Sequence, residues 1–597
     1  MSEPSPEQQR IIDDTSRIRI VRAAPGSGKT WLVGQIIKKE LETWNKPGGI
    51  AALSFTRVGG EEIRKAVCYE LDSPHFVGTL DSFLFRYIVK PFLSKCSGYK
   101  EPKLIPAFYG SEFWTNKTIK YETREKGKYK SYNLLDIDYG IPEKGNIKLL
   151  YSPYRGEKKE VPQQHRPDII KKKKSIWQTL GWVSHSDVHF LAFKIIESPY
   201  GPSIIKELEN RFPLIIVDEL QDTGYYICEF LKKLLSESNI KALLVGDPNQ
   251  SIYEFNGATP DMFNTFKDLA GSTEITLFES RRCPQKIINI AKQIIPDNSQ
   301  IKTNNPKSGK AVMLCYNKDF FAKEVNRAIN KIQNENFQHK IIKAIARNTS
   351  TLNELKHHCG EKEIKSIGSQ ILTHITRGVQ QFLLKQNSKA LRQVSDALSL
   401  LIFNKEGFGD DDLKDRNIDP FLWKDLVCET LLVSSKIKTN LVTYKNWQEI
   451  VKQNVVHILK QKTFLEQYIN DNLLSSIKVQ NRNGASEQVT LFLQIPQDNR
   501  DVPLLTVHGV KGETHDVTIF ICPPQKKGIP CPSDTWWNGE ERRIMYVAFT
   551  RSREILYVVV SKETAQNLKI NHKSFYDCFE VMNIEDFAPA PNWIDLI

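Results

Sequence analysis

The sequence predicts an α/β chain whose sheets are mostly parallel and flanked by helices on both faces. Three observations carry that prediction: short β-branched runs recur, helical stretches separate them, and chemically loaded residues stand at their carboxyl ends. Ile18 to Val21 precedes Ala23-Ala24-Pro25-Gly26-Ser27-Gly28-Lys29-Thr30, and Ile50 to Ser54 leads into Phe55-Thr56-Arg57. Leu214 to Val217 ends at Asp218-Glu219, Ala242 to Val245 at Gly246-Asp247, and Leu504 to Val507 at His508. Val517 to Ile521 and Ile555 to Val560 read as two further buried strands. Ligands of such sheets bind beyond the carboxyl ends of strands.

The first of these junctions has the strand–loop–helix setting of a phosphate-binding loop, because Leu32 to Leu41 is amphipathic. Small residues let successive backbone N–H groups curl around a polyphosphate where a helix dipole also favours anions. Lys29 would neutralise the β and γ phosphates, and the Thr30 hydroxyl would complete a Mg²⁺ shell. Ala24 stands where the usual pattern has Gly, which requires a negative φ there. Read alone, Gly-Ser-Gly also suits an ordinary turn.

Asp218-Glu219 after an apolar strand meets the needs of a Walker B pair. Asp218 would hold Mg²⁺, and Glu219 would orient and deprotonate the attacking water. The same pair equally suits a solvated helix start. In the segment Gly246 to Ala258, Gln250 can reach a γ-phosphate, while Tyr253 and Phe255 offer aromatic faces to bases. Arg282 and Arg551 are candidates for stabilising charge on a transferred phosphoryl group, although a lone Arg is more often a surface residue.

At 597 residues the chain has room for about three to five domain-sized units. Its net charge of +13 points to an acidic polymer as partner. Residues 95–175 concentrate that charge, with 19 Lys plus Arg against 10 Asp plus Glu. Within them Lys171 to Lys174 reads either as a solvated face or as a grip on duplex phosphates. Tyr121, Tyr129, Tyr132, Tyr139, Tyr151 and Tyr154 interleave the same window and suit base stacking or core packing alike. Ten cysteines without a C-x-x-C argue against disulfides and structural zinc, and His357-His358-Cys359 reads as solvated side chains. No apolar run approaches about 18 residues and Met1-Ser2-Glu3-Pro4 lacks a signal pattern, so a cytoplasmic protein without membrane association is expected.

Taken in order, the segments resemble the superfamily 1A helicases, the UvrD, Rep and PcrA group, along the whole chain. Ser5-Pro6-Glu7-Gln8-Gln9 resembles the Q motif and residues 23–30 motif I. Ser54 to Arg57 with Glu62-Ile63-Arg64 resembles motif Ia, and Gly78 to Phe83 motif Ib. Val217 to Thr223 is similar to motif II, Val245 to Ala258 to motif III, and Ser280 to Cys283 to motif IV. Thr506 to Gly512 resembles motif V, and Glu540 to Ser552 motif VI almost letter for letter.

The resemblance implies two RecA-like P-loop NTPase motor domains, with largely helical insertions 1B and 2B. Motor domain 1A would take residues 1–90 and 200–285, 1B 91–199, 2A 286–350 and 500–597, and 2B 351–499. ATP with Mg²⁺ would lie between the motors. Lys29, Asp218, Glu219, Gln250, Arg282 and Arg551 would act in catalysis, and Thr30 and Asp218 would hold the metal. Gln8, residues 23–30, Trp31, Arg281 and Glu513 would bind the nucleotide, with Gln8 reading the adenine and Glu513 meeting the ribose. Single-stranded or tailed duplex DNA would run over Phe55, Thr56, Arg57, Thr79, Tyr253, Phe255, Asn256 and His508, with translocation 3′ to 5′.

Departures from the family pattern sharpen these expectations. An Arg after motif I and a Tyr in motif IV usually sandwich the adenine; here Trp31 and Arg281 stand there, which reads as a swap of sides. Phe255 and Asn256 replace a Trp and an Arg in motif III, weakening stacking and phosphate contact by about 1 kcal/mol each. Glu513-Thr514-His515 replaces the usual residues after Lys511-Gly512, moving the ribose Glu by one position. An ATP-dependent 3′-to-5′ DNA helicase is the leading reading. The second is a DNA-sensing ATPase subunit, similar to the helicase-like subunits of Gabija-type antiphage systems, which assists an OLD-family nuclease in a hetero-oligomer. About 40 residues after the last motor strand are too few for a fused nuclease domain.

Overall fold

The strands alternate their side chains between two buried faces, and this explains the apolar runs. The computed structural model describes residues 3–67, 71–95, 98–105, 120–125, 128–143, 146–151, 158–254, 257, 260–295, 300–336, 341–358, 369–383, 387–404, 412–413, 416, 418–436, 443–468, 477–478, 502–525 and 532–588. They form two units. The first holds Met1–Ala107, Lys117–Leu352 and Arg500–Ile597, and the described residues of the second lie within Asn353–Asn499.

The first unit is built on two parallel sheets. One contains β1 (Ile18–Ala23), β2 (Ile50–Ser54), β3 (Phe76–Thr79), β4 (Leu214–Val217), β5 (Lys241–Gly246) and β6 (Ser272–Leu277), in the order β6-β1-β5-β4-β2-β3. All its pairings are parallel. Ile18, Ile20, Leu53, Ile215 and Leu244 pack on one face, and Val21, Ile50, Leu214, Leu243 and Val245 on the other. Each fully buried Val, Ile or Leu contributes about 1.5–3 kcal/mol. The second sheet contains β7 (Lys310–Tyr316), β8 (Ile342–Ala346), β9 (Leu504–Thr506), β10 (His515–Ile521), β11 (Ser552–Ser561) and β12 (Glu580–Asn583), in the order β9-β8-β10-β11-β7-β12 and again all parallel.

Five helices matter to the site: α1 (Pro6–Asp13), α2 (Lys29–Glu42), α3 (Arg57–Val67), α4 (Gln285–Ile294) and α5 (Gly539–Phe549). Helix α2 follows β1 directly and buries Leu32, Val33, Ile36 and Ile37 against the sheet, the stripe its amphipathic sequence promised. The chain passes from the first sheet to the second through residues 278–284, between β6 and α4.

The basic window differs from the largely helical insertion expected of it. Lys120–Glu125 pairs antiparallel with Lys128–Asn133, and Asp138–Glu143, Asn146–Tyr151 and Lys159–Glu160 form a second antiparallel sheet beside helix Arg166–Thr179. Alternation of apolar and polar residues, as in Asn146-Ile147-Lys148-Leu149, drives that outcome. Lys173 fits neither reading of the lysine run. It is buried, with Nζ donating to Leu134 O at 2.8 Å and Ile137 O at 3.2 Å and paired with Asp187 Oδ1 at 2.8 Å. Tyr132 is buried, and Tyr139 packs against the core, stacked on Phe190 with ring centroids 4.1 Å apart. Tyr154 lies outside the described residues, and the side chain of Tyr129 does too.

The second unit is helical where described. Gln370–Leu383, Asn387–Phe403, Pro420–Ser435 and Tyr444–Lys460 enclose an apolar core around Trp447, Leu372, Leu398 and Leu426. Trp447 Nε1 donates to Thr376 Oγ1 at 2.9 Å, which satisfies its one donor. No helix among the described residues is long and apolar enough to cross a membrane.

Candidate active site

The loop between β1 and α2 takes its shape from two left-handed glycines, Gly26 at φ +70° and Gly28 at φ +84°. Gly26 is required twice over, since a Cβ there would lie 2.3 Å from Arg282 Cβ. Ala24 is not among the positive-φ residues, so the condition for Ala at this position is met. Helix α2 starts with no side-chain cap and no acidic residue in its first turn, leaving N–H groups and the dipole for an anion. Gln8 Nε2 donates to Ser27 O at 3.0 Å while its Oε1 accepts from Ser5 N–H at 3.0 Å, so this side chain caps α1 and steadies the loop.

At the end of β4 the backbone turns through Glu219, a non-glycine residue at φ +57°. Such a conformation costs about 1 kcal/mol or more and aims the side chain away from the strand direction. Glu219 Oε1 lies 3.6 Å from Lys29 Nζ, and Gln221 Nε2 donates to its other oxygen. Thr30 Oγ1 is 3.4 Å from Asp218 Oδ2. Burial and then the neighbouring Glu219 push the Asp218 carboxyl up, whereas Lys29 and Lys511 hold Glu219 low against its own burial.

These donors suit a divalent cation. A hydroxyl and a buried, electrostatically crowded carboxylate are hard oxygen ligands, and positive charge between them relieves the penalty on Asp218. The cations facing them suit a polyphosphate. Arg551 is 1% exposed and is pulled down to about 9 by burial and by Arg282, which leaves both guanidinium groups in want of an anion. Arg282 Nε is buried with no hydrogen-bond partner among the described residues, and its Nη1 makes only a 3.4 Å contact to Thr550 O.

The second sheet's residues reach into this site and hold the segment after β5. Arg551 Nη2 donates to Gln250 Oε1 at 3.0 Å, and Gln250 Nε2 donates to Asp247 Oδ2 at 2.8 Å. Lys511 Nζ meets both Asp222 oxygens at 2.6 Å and Gln250 O at 2.7 Å. His508 Nε2 is 2.9 Å from Ile252 O, and Arg543 of α5 donates to Ser251 O at 2.7 Å and pairs with Glu254. Sequence reasoning did not single out Lys511, Asp222 or Arg543. Their signal was charge inside otherwise buried motifs, but the partners lie 261 residues apart or more.

The base-stacking candidates partly converge. Phe55 and Tyr253 have ring centroids 5.3 Å apart, His508 lies 5.8 Å from Tyr253, and Lys511 Nζ sits 4.8 Å over the Tyr253 ring. Burial and Asp222 push the Tyr253 hydroxyl up to about 12, so it stays neutral. Thr79 pairs with Ser54 across β2 and β3, beside exposed Thr56 and Arg57. Phe255 and Asn256 lie outside the described residues. Arg281 Cζ lies 5.7 Å above the Trp31 ring, bringing the two swapped residues face to face. The Glu513 carboxylate is engaged by Lys343 and by His515 at 3.1 Å, while its carbonyl accepts from Arg551 Nη1 at 3.1 Å.

Comparison with known proteins agrees with this geometry. The chain matches the UvrD/REP helicase N-terminal domain over residues 4–270 and the UvrD-like helicase C-terminal domain over residues 431–563. It is 23% identical to a probable DNA helicase II homolog of Mycoplasma pneumoniae over 620 residues, covering 93% of this chain and 83% of that protein. It is 24% identical to the ATP-dependent DNA helicase PcrA of Staphylococcus aureus over 429 residues, 60% of this chain and 56% of PcrA. It is also 28% identical to the Gabija protein GajB of Bacillus cereus over 285 residues, 47% of each chain.

Proposed function

The chain belongs to the UvrD/REP family of ATP-dependent DNA helicases, and on that premise we propose that it translocates 3′ to 5′ on single-stranded DNA and unwinds tailed duplexes. The observation that carries this reading is the meeting, around one loop, of Lys29, Asp218 and Glu219 from the first sheet with Arg551 from the second. ATP would supply the bond to be hydrolysed, and Mg²⁺ would be held by Thr30 and Asp218 and would supply positive charge beside the phosphates.

The chain's own residues do the rest. Lys29 would turn from Glu219 to the terminal phosphates, and Lys511, Gln221 and Arg551 would still favour the ionised carboxylate, which could accept a proton from water. Arg282 and Arg551, held by Thr550, Val547 and Glu513 carbonyls, offer fixed charge where negative charge develops. Trp31 and Arg281, in contact with each other, would part to take the base between them, with Gln8 beside the loop. Because Arg551 and Lys511 both hold Gln250, closure of the second lobe, the part built on the second sheet, would move the segment that carries Tyr253, and Tyr253 with Phe55 and His508 would form the stacking surface for DNA. A cytoplasmic location suits such a substrate.

The test is ATP hydrolysis with and without single-stranded DNA, beside Lys29→Ala, followed by strand separation on 3′- and 5′-tailed duplexes. DNA-stimulated turnover lost in the variant and unwinding of the 3′-tailed substrate alone are expected. A second reading is favoured by the likeness to GajB: a DNA-sensing ATPase subunit that assists a partner nuclease of the OLD family. ATP binding without DNA stimulation, joined by co-purification of a nuclease, would select it.

A further inference from the structure

The segment ahead of β1 does more than approach the nucleotide. Glu7 Oε2 accepts the backbone N–H of Phe278 at 2.9 Å and that of Glu279 at 3.0 Å. Both lie where the chain leaves the first sheet for the second. Carbonyl groups of the same stretch are taken elsewhere, Phe278 O by Lys302 N–H at 3.0 Å and Ser280 O by Asn304 N–H at 2.8 Å. A carboxylate that accepts two backbone N–H groups makes bonds about twice as strong as neutral ones. The Glu3 carbonyl adds a third contact, accepting from Arg281 Nη2 at 3.2 Å.

Glu7 and Gln8 are adjacent on the first turn of α1, and that turn is stiff. Pro6 opens it, and Ser5 and Gln8 close a reciprocal capping box. Gln8 holds the phosphate loop at Ser27 O while Glu7 holds the crossover. The crossover returns to the loop from its far side, with Ser280 Oγ donating to Pro25 O at 2.7 Å and Arg281 N–H to Gly26 O at 2.9 Å. Loop, α1 and crossover therefore form a closed circuit, and Gly26 packs against Arg282 within it.

We propose that Glu7 is a positioning residue for ATP turnover: its carboxylate fixes the angle at which the crossover leaves the first sheet, and so presents Arg282 to the phosphate loop. This rests on the ATPase reading above. Removing the carboxylate frees two backbone N–H groups and loosens the crossover while every side chain assigned to the nucleotide is retained.

The experiment compares wild type, Glu7→Ala and Glu7→Gln by three measurements: DNA-stimulated kcat, affinity for a fluorescent ATP analogue, and amide exchange at residues 278–279. In Glu7→Ala, kcat should fall about tenfold with affinity changed less than about threefold, and exchange at the two amides should rise about tenfold. Glu7→Gln, whose amide oxygen still accepts both N–H groups, should keep most of the turnover and the protection. Turnover in Glu7→Ala within about twofold of wild type would overturn the proposal, as would equal losses in the Ala and Gln variants. If Glu7→Ala fails to fold, Glu7→Asp, one methylene short of both amides, takes its place. A wild-type chain without ATPase activity would sink the reading of function, and the exchange data would still decide whether Glu7 holds the crossover.

Discussion

The nucleotide cleft and the helical unit between residues 353 and 499 bury their side chains on opposite terms. In the cleft Asp218, Asp222, Gln250 and Arg551 are all at most 3% exposed, and Lys511 reaches in to pair with Asp222. In the helical unit the buried groups are mainly Leu, Ile, Val and Trp, with neutral hydroxyls such as Thr376 and Ser399 among them. Desolvating charge costs more than the resulting ion pairs return, whereas apolar burial is favourable throughout. The difference teaches where to look for chemistry: the cleft holds its charges at the expense of stability.

The largest effect should therefore come from the cleft with little change in folding. Glu219→Gln keeps size and the contact with Gln221 but loses the proton acceptor, so kcat should fall about 10²- to 10⁴-fold. Affinity for ATP should persist, and the thermal midpoint should not drop. A variant that hydrolyses ATP within about tenfold of wild type would remove Glu219 from the role of base.

The helical unit should answer in the opposite way. Trp447→Ala empties the centre of an apolar core and removes the bond to Thr376 Oγ1, which keeps its own bond to Leu372 O, for a cost of about 3–5 kcal/mol. Calorimetry of the whole chain should show the loss as an earlier transition. DNA-independent ATP turnover measured below that transition should stay close to wild type. Equal losses of both would mean that the two regions are not separable as drawn.

How much of this was legible in the sequence follows the same division. Seven of the twelve strands of the two parallel sheets declared themselves as short apolar runs, most of them buried on both faces, while strands such as β6 and β12, partly exposed, did not. The loaded residues stand at the strand ends because that is where parallel strands open to ligands. Ala24 could be judged from backbone preference alone. Lys173 could not, since nothing local separates it from Lys171, Lys172 and Lys174; only Asp187 and two carbonyls brought by folding make it a buried cation. Lys511 with Asp222 and Glu7 with the Phe278 amide were hidden for the same reason, being pairs made across 289 and 271 residues. The strands of the basic window were masked by its lysines, which conceal a period-two pattern.

A smaller effect tests the exchanged base contacts. Trp31 and Arg281 face each other at 5.7 Å, and such a contact is worth about 0.5–2 kcal/mol. Trp31→Ala should raise the KM for ATP about 2- to 30-fold and leave kcat near wild type. An unchanged KM would make Trp31 a packing residue of α2 and end the swap.

The smallest effect concerns pH and reads the cost of the cleft directly. Burial raises the Asp222 carboxyl to about 6 even though Lys511 pulls the other way. The folded value lies above the unfolded one of 3.8, so the folded chain holds the extra proton in between. This group's contribution to stability is full below the unfolded value and is lost as pH rises through about 6. At neutral pH, then, the ionised Asp222–Lys511 pair joins the two lobes at a cost to folding. Asp222→Asn should flatten the fall in stability between about pH 4 and 6 by up to about one proton, and should reduce DNA-stimulated turnover while sparing basal turnover. Identical slopes in the two proteins would assign the titration to another buried carboxylate, with Asp218 and Asp247, both also raised by burial, next in line.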